Sequence, residues 1–261
     1  VPGLTWPPET FLARLFRGLA ARGIQLTLIA PELPDATWRE IINIDVMVAP
    51  GWDGHVPLRL TRLGGRLAGA TLRSPRETRH LIHAARTAEG SERPVEQLYY
   101  WLPLAGRSWD VVYFPWNSAA IAYRPLMDTR PSVISCRGAQ INIAPLNPER
   151  ASLRRGLAGT FAQASAVHCV SDAIRHEAAH YGLDMAKATV IRPAVDPSAF
   201  RPAEHGLRSS GAPFRIITTG GIIWRKGLEY ALLAIRRLRD HGVPVRFDII
   251  GDGPEMQRLL Y

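Results

Sequence analysis

Short apolar runs that stop at glycine, proline or a polar turn alternate with helix-spaced segments along the whole chain. This alternation limits the fold more than any other feature, because it is the grammar of βα units built on a parallel sheet. Residues 10–21 place Phe11, Leu12, Leu15, Phe16 and Leu19 at helical spacing, and Pro7, Pro8 and Glu9 suit the first turn of that helix. Gly23 stops it, and residues 24–30 read as a buried strand ending at Pro31. A strand should precede this helix, so the natural protein is expected to begin earlier; Val1 is also not an initiator methionine. Further strands are predicted at 41–49, 111–114, 132–135, 166–170 and 188–191, with helices at 150–164 and 172–181. Residues 56–100 read as helical and basic.

The composition then shifts. Residues 193–213 are rich in Pro, Gly, Ser and charge, as linkers are. A new βαβ pattern follows: strand 214–219, helix 228–239, strand 245–250, and the start of a helix at 254–261. One such unit cannot cover both faces of a parallel sheet. The expected organisation is therefore one α/β domain over 1–192, a linker over 193–213, and the beginning of a second, incomplete domain over 214–261.

The bulk properties agree with a globular chain of 261 residues, 46% hydrophobic. No apolar run approaches the ~20 residues that span a bilayer. Cys136 and Cys169 are the only cysteines, each in a strand-like run, and read as buried thiols of a cytoplasmic protein. The net charge of +9 comes almost wholly from arginine, which favours anionic partners.

Open parallel sheets bind ligands beyond the carboxyl ends of their strands, where helix N-termini attract phosphate. The best such place is the run GGIIWRKG at 220–227, where Gly220 and Gly221 allow close approach of backbone. Arg225 and Lys226 set cations beside a helix start, an unfavourable position unless an anion is to meet them. Taken locally, a solvated turn with two incidental basic residues fits as well.

The stretch from Ile216 to Ile235, with the FDIIGDGP run at 247–254, resembles the second domain of retaining glycosyltransferases of the GT-B fold, family 4. Pro8 to Leu12, Val167 to Asp172 and Val190 to Phe200 are similar to three other family stretches, in the family's order. The resemblance implies an α/β GT-B fold of two Rossmann-like domains. It implies transfer of a sugar from a nucleoside diphosphate to an acceptor hydroxyl with retention, in polysaccharide or glycolipid synthesis. Lys226 would bind the donor diphosphate with Gly220, Gly221 and Arg225, although Gly221 stands where the family usually has an arginine. Gly251, Asp252 and Gly253 form a possible donor-side loop. Glu9 and Thr10 lie on the acceptor side. Arg137, where many relatives have a histidine, would face the cleft and clamp a phosphate or hydroxyl without acting as a base. The nucleotide sugar is a substrate, and no cofactor or metal is expected. The acceptor would be a saccharide or a lipid-linked acceptor. The family's two donor-contacting glutamates come later than Tyr261, so this stretch alone is expected to transfer poorly, and a non-catalytic acceptor- or membrane-binding fragment is the alternative.

Two other signals compete. His176, Glu177 and His180 match the H-E-x-x-H pattern of zinc peptidases, but the third ligand could only be Glu204, in the linker, and the extended pattern fails at Gly182. Arg59, Arg62, Arg66, Arg73, Arg76 and Arg79 interleave with Leu58, Leu60, Leu63, Leu67 and Leu72, as in helices lying on anionic lipid; Gly64, Gly65 and Gly69 weaken that helix. An anionic membrane surface, and a peripheral location on the inner face, are preferred here over nucleic acid. Glycoside hydrolysis lacks a converging carboxylate pair, and no strand is followed by G-x-G-x-x-G as dinucleotide binding would require.

Overall fold

The structure is a computed structural model that describes residues 1–87, 93–195, 197–200 and 212–260. The chain divides into two compact units, Val1–Ala194 and Val195–Tyr261. Among the described residues, strands in both units pair only in parallel. Among the described residues no sheet takes strands from both units. Residue 196 and residues 201–211 of the expected linker lie outside the described residues, as does Glu204.

The first unit opens with α1 (Thr10–Ala20), β1 (Leu26–Ala30), α2 (Ala36–Arg39) and β2 (Ile44–Val48). The backbone of Val1 runs beside β1: its amino group donates to the Thr27 carbonyl at 2.7 Å, and Ile29 N–H donates to the Val1 carbonyl at 3.1 Å. Pro7, Pro8 and Glu9 precede α1 instead of forming its first turn. Pro8 keeps Pro7 out of the helical region, and Glu9 stays extended at ψ 147°. Leu12, Phe16 and Ala20 form the buried stripe of α1 and pack with Leu28, Trp38 and Ile44. The next residue of β1, Ile29, points the other way, into a cluster with Ala70, Leu81, Trp101 and Leu104. Both faces of β1 are thereby covered, as a parallel strand requires.

The basic stretch is three helices, α3 (Val56–Arg73), α4 (Pro75–Thr87) and α5 (Pro94–Trp101), where the sequence reads as one helical region. Pro75 causes the first break by holding Ser74 extended (φ −156°, ψ 94°). Gly64, Gly65 and Gly69 do not stop α3, although each costs about 1 kcal/mol relative to alanine. Burial of Ala70, with Leu63 and Leu67 against the same core, offsets that cost. Leu58, Leu60 and Leu72 are exposed, so the leucines expected to share one lipid-facing surface are divided between core and solvent.

A four-stranded parallel sheet completes the unit in the order β3-β4-β5-β6. Its elements are β3 (Val112–Phe114), α6 (Asn117–Ala122), β4 (Ser132–Cys136), α7 (Ala139–Asn142), α8 (Ala151–Gln163), β5 (Ala166–Cys169), α9 (Asp172–Ala179) and β6 (Ala188–Val190). Phe114, Ile134, Val167, Leu157 and Phe161 fill its core. Cys136 and Cys169 are register partners on β4 and β5, both buried and free. Their mutual hydrogen bond and burial push the Cys136 thiol up, which keeps it protonated.

The second unit contains β7 (Phe214–Thr219), α10 (Leu228–Asp240), β8 (Val245–Ile250) and α11 (Met256–Leu260). Phe214 pairs with Val245 and Thr219 with Ile250, so both strands end at the same level. Among the described residues no helix is long and apolar enough to cross a membrane.

Candidate functional site

In the second unit, the matched ends of β7 and β8 bring Gly220 and Gly221 beside Gly251, Asp252 and Gly253. The strand ladder continues into these loops: Gly220 N–H donates to the Ile250 carbonyl at 3.0 Å, and Ile222 N–H to the Asp252 carbonyl at 2.8 Å. A Cβ at Gly251 would overlap the Gly220 carbonyl oxygen, and one at Gly253 would overlap that of Ile222. The two loops are therefore close enough to require glycine. Gly220 itself sits at φ +146°, which favours glycine for a second reason.

Trp224–Lys226 form one 3-10 turn, closed by Gly227 in the left-handed region at φ +58°. Gly227 is also the N-cap of α10, and it has no side chain to accept from that helix's first N–H groups. The Lys226 side chain folds back over the glycine turn, its Cε 3.8 Å from where a Gly220 Cβ would stand. Among the described residues, the ion pairs of this unit involve Arg215, Arg246, Arg236 and Arg258, and none uses Arg225 or Lys226. The exposed turn thus combines two unpaired cations, an uncapped helix N-terminus and bare backbone, the elements of a phosphate cradle.

In the first unit, Arg137 follows β4, and Gly138 turns the chain at φ +39°. The Arg137 guanidinium lies over the Phe11 ring, 4.6 Å from its centroid, and one nitrogen is 3.5 Å from the Tyr113 hydroxyl. Trp116 meets Phe11 edge-on at 5.8 Å. The Arg137 Nε is buried and has no hydrogen-bond partner among the described residues. Glu9 and Thr10 are exposed at the start of α1, next to the Phe11 that touches Arg137. The structure therefore brings the start of α1 and the end of β4 together, around an arginine held by aromatic rings.

Sequence reasoning missed part of this surrounding. Asn117 is fully buried; its Nδ2 donates to the Gln140 carbonyl at 2.9 Å, while its Oδ1 has no partner among the described residues. Ser118 Oγ donates to Gln140 Oε1 at 2.6 Å, so α7 is tied to the start of α6. An Asn-Ser pair two residues beyond a strand was the available signal, since both favour helix starts. Ser135 and His168, on neighbouring strands, were also missed. Ser135 Oγ is 2.9 Å from His168 Nδ1, and His168 Nε2 is 2.9 Å from the Ile191 carbonyl. A carbonyl only accepts, so Nε2 carries the proton and Nδ1 accepts from the serine. Burial holds His168 below the usual histidine range; the Ile191 bond works against this and the charge of Arg137 adds to it.

The histidines of the H-E-x-x-H pattern lie on α9 and its C-cap, with His180 Nδ1 3.8 Å from Glu177. Among the described residues no three His, Cys, Asp or Glu side chains are grouped to hold a metal ion.

Over 78 residues the chain is 35% identical to the putative colanic acid biosynthesis glycosyltransferase WcaL of Escherichia coli (strain K12), a match covering 30% of this chain and 19% of that protein. The protein of the same description from Salmonella typhimurium is 34% identical over 73 residues, 28% of this chain and 18% of that one. The matched stretch thus spans less than a fifth of the length of these curated relatives. Among solved structures, Anabaena Alr3699/HepE in complex with UDP superposes with a TM-score of 0.49 at 12% identity, covering 98% of this chain and 70% of that one. The same protein in complex with UDP-glucose gives 0.46 at 12% identity, covering 99% and 70%. The Glycosyltransferase Family 4 model matches residues 8–199, from the approach to α1 through β6, with Arg137 inside it. With most of its length matched in this way, the chain belongs to glycosyltransferase family 4.

Proposed function

We propose that this chain serves a glycosyltransferase that moves a sugar from a nucleoside diphosphate to an acceptor hydroxyl with retention of configuration. The carrying observation is the turn at Gly220–Lys226, where Lys226 lies over paired glycine loops beside the uncapped start of α10. In this reading the α10 amides and Lys226 accept the charge that develops on the leaving diphosphate, with Arg225 as a second cation. Such preorganised donors need no rearrangement as the sugar–phosphate bond lengthens. Arg137 binds a phosphate or hydroxyl of the acceptor and stays charged throughout. Retention requires the acceptor oxygen to approach the oxocarbenium-like sugar on the face the diphosphate leaves, and the departing diphosphate takes up its proton. The description of WcaL as a colanic acid biosynthesis enzyme favours a polysaccharide or glycolipid product. A lipid-linked acceptor would suit an enzyme resting on anionic lipid through Arg59 and the exposed Leu58 and Leu60 of α3.

Calorimetry with UDP and GDP tests the donor site. Binding of one of them, weakened about tenfold or more in Lys226→Ala, is expected, since a charge-assisted bond is worth about 1.5–3 kcal/mol. Unchanged affinity in that variant would contradict the site. Absence of binding by either nucleotide would favour the non-catalytic fragment. Co-sedimentation with anionic vesicles, reduced in an Arg59→Ala, Leu60→Ser double variant, tests the membrane surface; no sedimentation at low salt would end it.

A further inference from the structure

The arginines of α3 carry an inference that does not rest on the donor site. A cavity of about 440 Å³ opens between the carboxyl end of β2 and one face of α3. Four arginines, Arg62, Arg66, Arg73 and Arg107, line it, and no Asp or Glu does. Arg62 pairs with Asp53 at 2.8 Å. The other three are held by main-chain carbonyls: Arg66 by Tyr99 and Pro50, Arg73 by Ala105 and Leu102, and Arg107 by Pro103. Arg66 is further fixed over the Tyr99 ring, 3.6 Å from its centroid. Among the described residues none of these three meets a carboxylate.

This is an expensive arrangement without a ligand. Like charges are gathered at one wall, and carbonyl bonds orient them without neutralising them. Burial lowers the affinity of both Arg66 and Arg73 for their protons, and for Arg73 the charge of Arg107 adds to that effect. α3 presents Gly65 and Gly69 to this cavity. A Cβ at Gly65 would meet nothing within 4 Å, and one at Gly69 only the Arg73 side chain. The glycines that weaken the helix therefore coincide with the face that holds the arginines.

We infer that the cavity bounded by Gly65, Arg66, Arg73 and Arg107 is a phosphate-binding site built wholly from residues of the first unit. Its geometry suits a phosphoryl group, which offers three acceptor oxygens to several forked donors at once. The phosphoryl group comes either from a phosphorylated sugar or from free phosphate.

Calorimetry on the Lys226→Ala protein, which lacks the cation of the donor turn, tests this with inorganic phosphate and with glucose 1-phosphate. At least one should bind, and binding should weaken about tenfold or more in Arg107→Glu and in Gly65→Leu. Gly65→Leu puts a side chain into the cavity from an open helical position where leucine is the better helix former, so it keeps the fold; an unchanged melting curve checks this. Tighter binding of glucose 1-phosphate assigns the site to a phosphorylated sugar, and equal affinities assign it to the phosphoryl group alone. Failure of both ligands to bind, or undiminished binding in both variants, overturns the inference. Neither outcome depends on nucleotide affinity, which reports on the donor turn separately.

Discussion

Gly251 lies against Gly220 so closely that a single methyl group on Gly251 would occupy the space of the Gly220 carbonyl oxygen. The loops that follow β7 and β8 are thus one packed unit, and the position of the Lys226 turn depends on it. Gly251→Ala is expected to push the loops apart and cost about 1–3 kcal/mol, the usual range for overpacking. Nucleotide affinity should fall with it. Urea denaturation and calorimetry on the same variant check both effects; unaltered stability would show that the loops can separate freely.

Glu77 and Arg130 form a nearly buried ion pair at 2.5 Å, with side chains 12% and 8% exposed. Glu77 also accepts from Gly106 N–H at 2.7 Å, and Arg130 donates to the Arg107 carbonyl at 3.0 Å. Removing one partner strands a buried charge, so Glu77→Ala should destabilise the protein by about 3–5 kcal/mol. The double variant Glu77→Leu, Arg130→Met should be less destabilised than Glu77→Ala, because no charge is left unpaired. Chemical denaturation of the two variants makes the comparison.

His168 gives a pH dependence with a definite sign. Its folded-state proton affinity lies below the ordinary value of 6.5, chiefly through burial. The unfolded chain therefore binds this proton more readily, and stability is lost as pH falls below about 6.5 toward the folded value. Melting temperature should decline over that window, and less steeply in His168→Gln. Identical slopes would remove His168 as the cause.

How much of this was legible in the sequence depended on how local each cause was. The strands at 214–219 and 245–250 and their glycine loops could be read directly, because apolar runs ending in glycine state their own boundaries. Ser74 turned the chain for a local reason as well, its neighbour Pro75, but the continuous basic pattern hid it. Leu63 and Leu67 were harder. Their spacing with the arginines fits a lipid surface and a core equally, and only the packing of Ala70, Leu81 and Trp101 decides between them. The ring of Phe11 over Arg137 joins residues 126 positions apart, counted as 137 − 11, and no spacing rule connects them. The same holds for the buried Asn117 and for the Ser135–His168 bond, which exist only once β3, β4 and β5 lie side by side.

The H-E-x-x-H match should prove to be a solvated helix. His176 and His180 are both exposed, so His176→Ala should change stability by no more than about 0.5 kcal/mol. Elemental analysis of the purified protein should find no stoichiometric zinc. Zinc that disappears in that variant would revive the peptidase reading.

The central claim is that a diphosphate rests on the start of α10. Titration of glycine-labelled, 15N-enriched protein with UDP and GDP measures this at the atoms concerned. One nucleotide should move the amide resonances of Gly220, Gly221 and Gly227 together and saturably, with Gly18 and Gly156 of the first unit unmoved. Saturable binding that leaves those three amides in place would contradict the account.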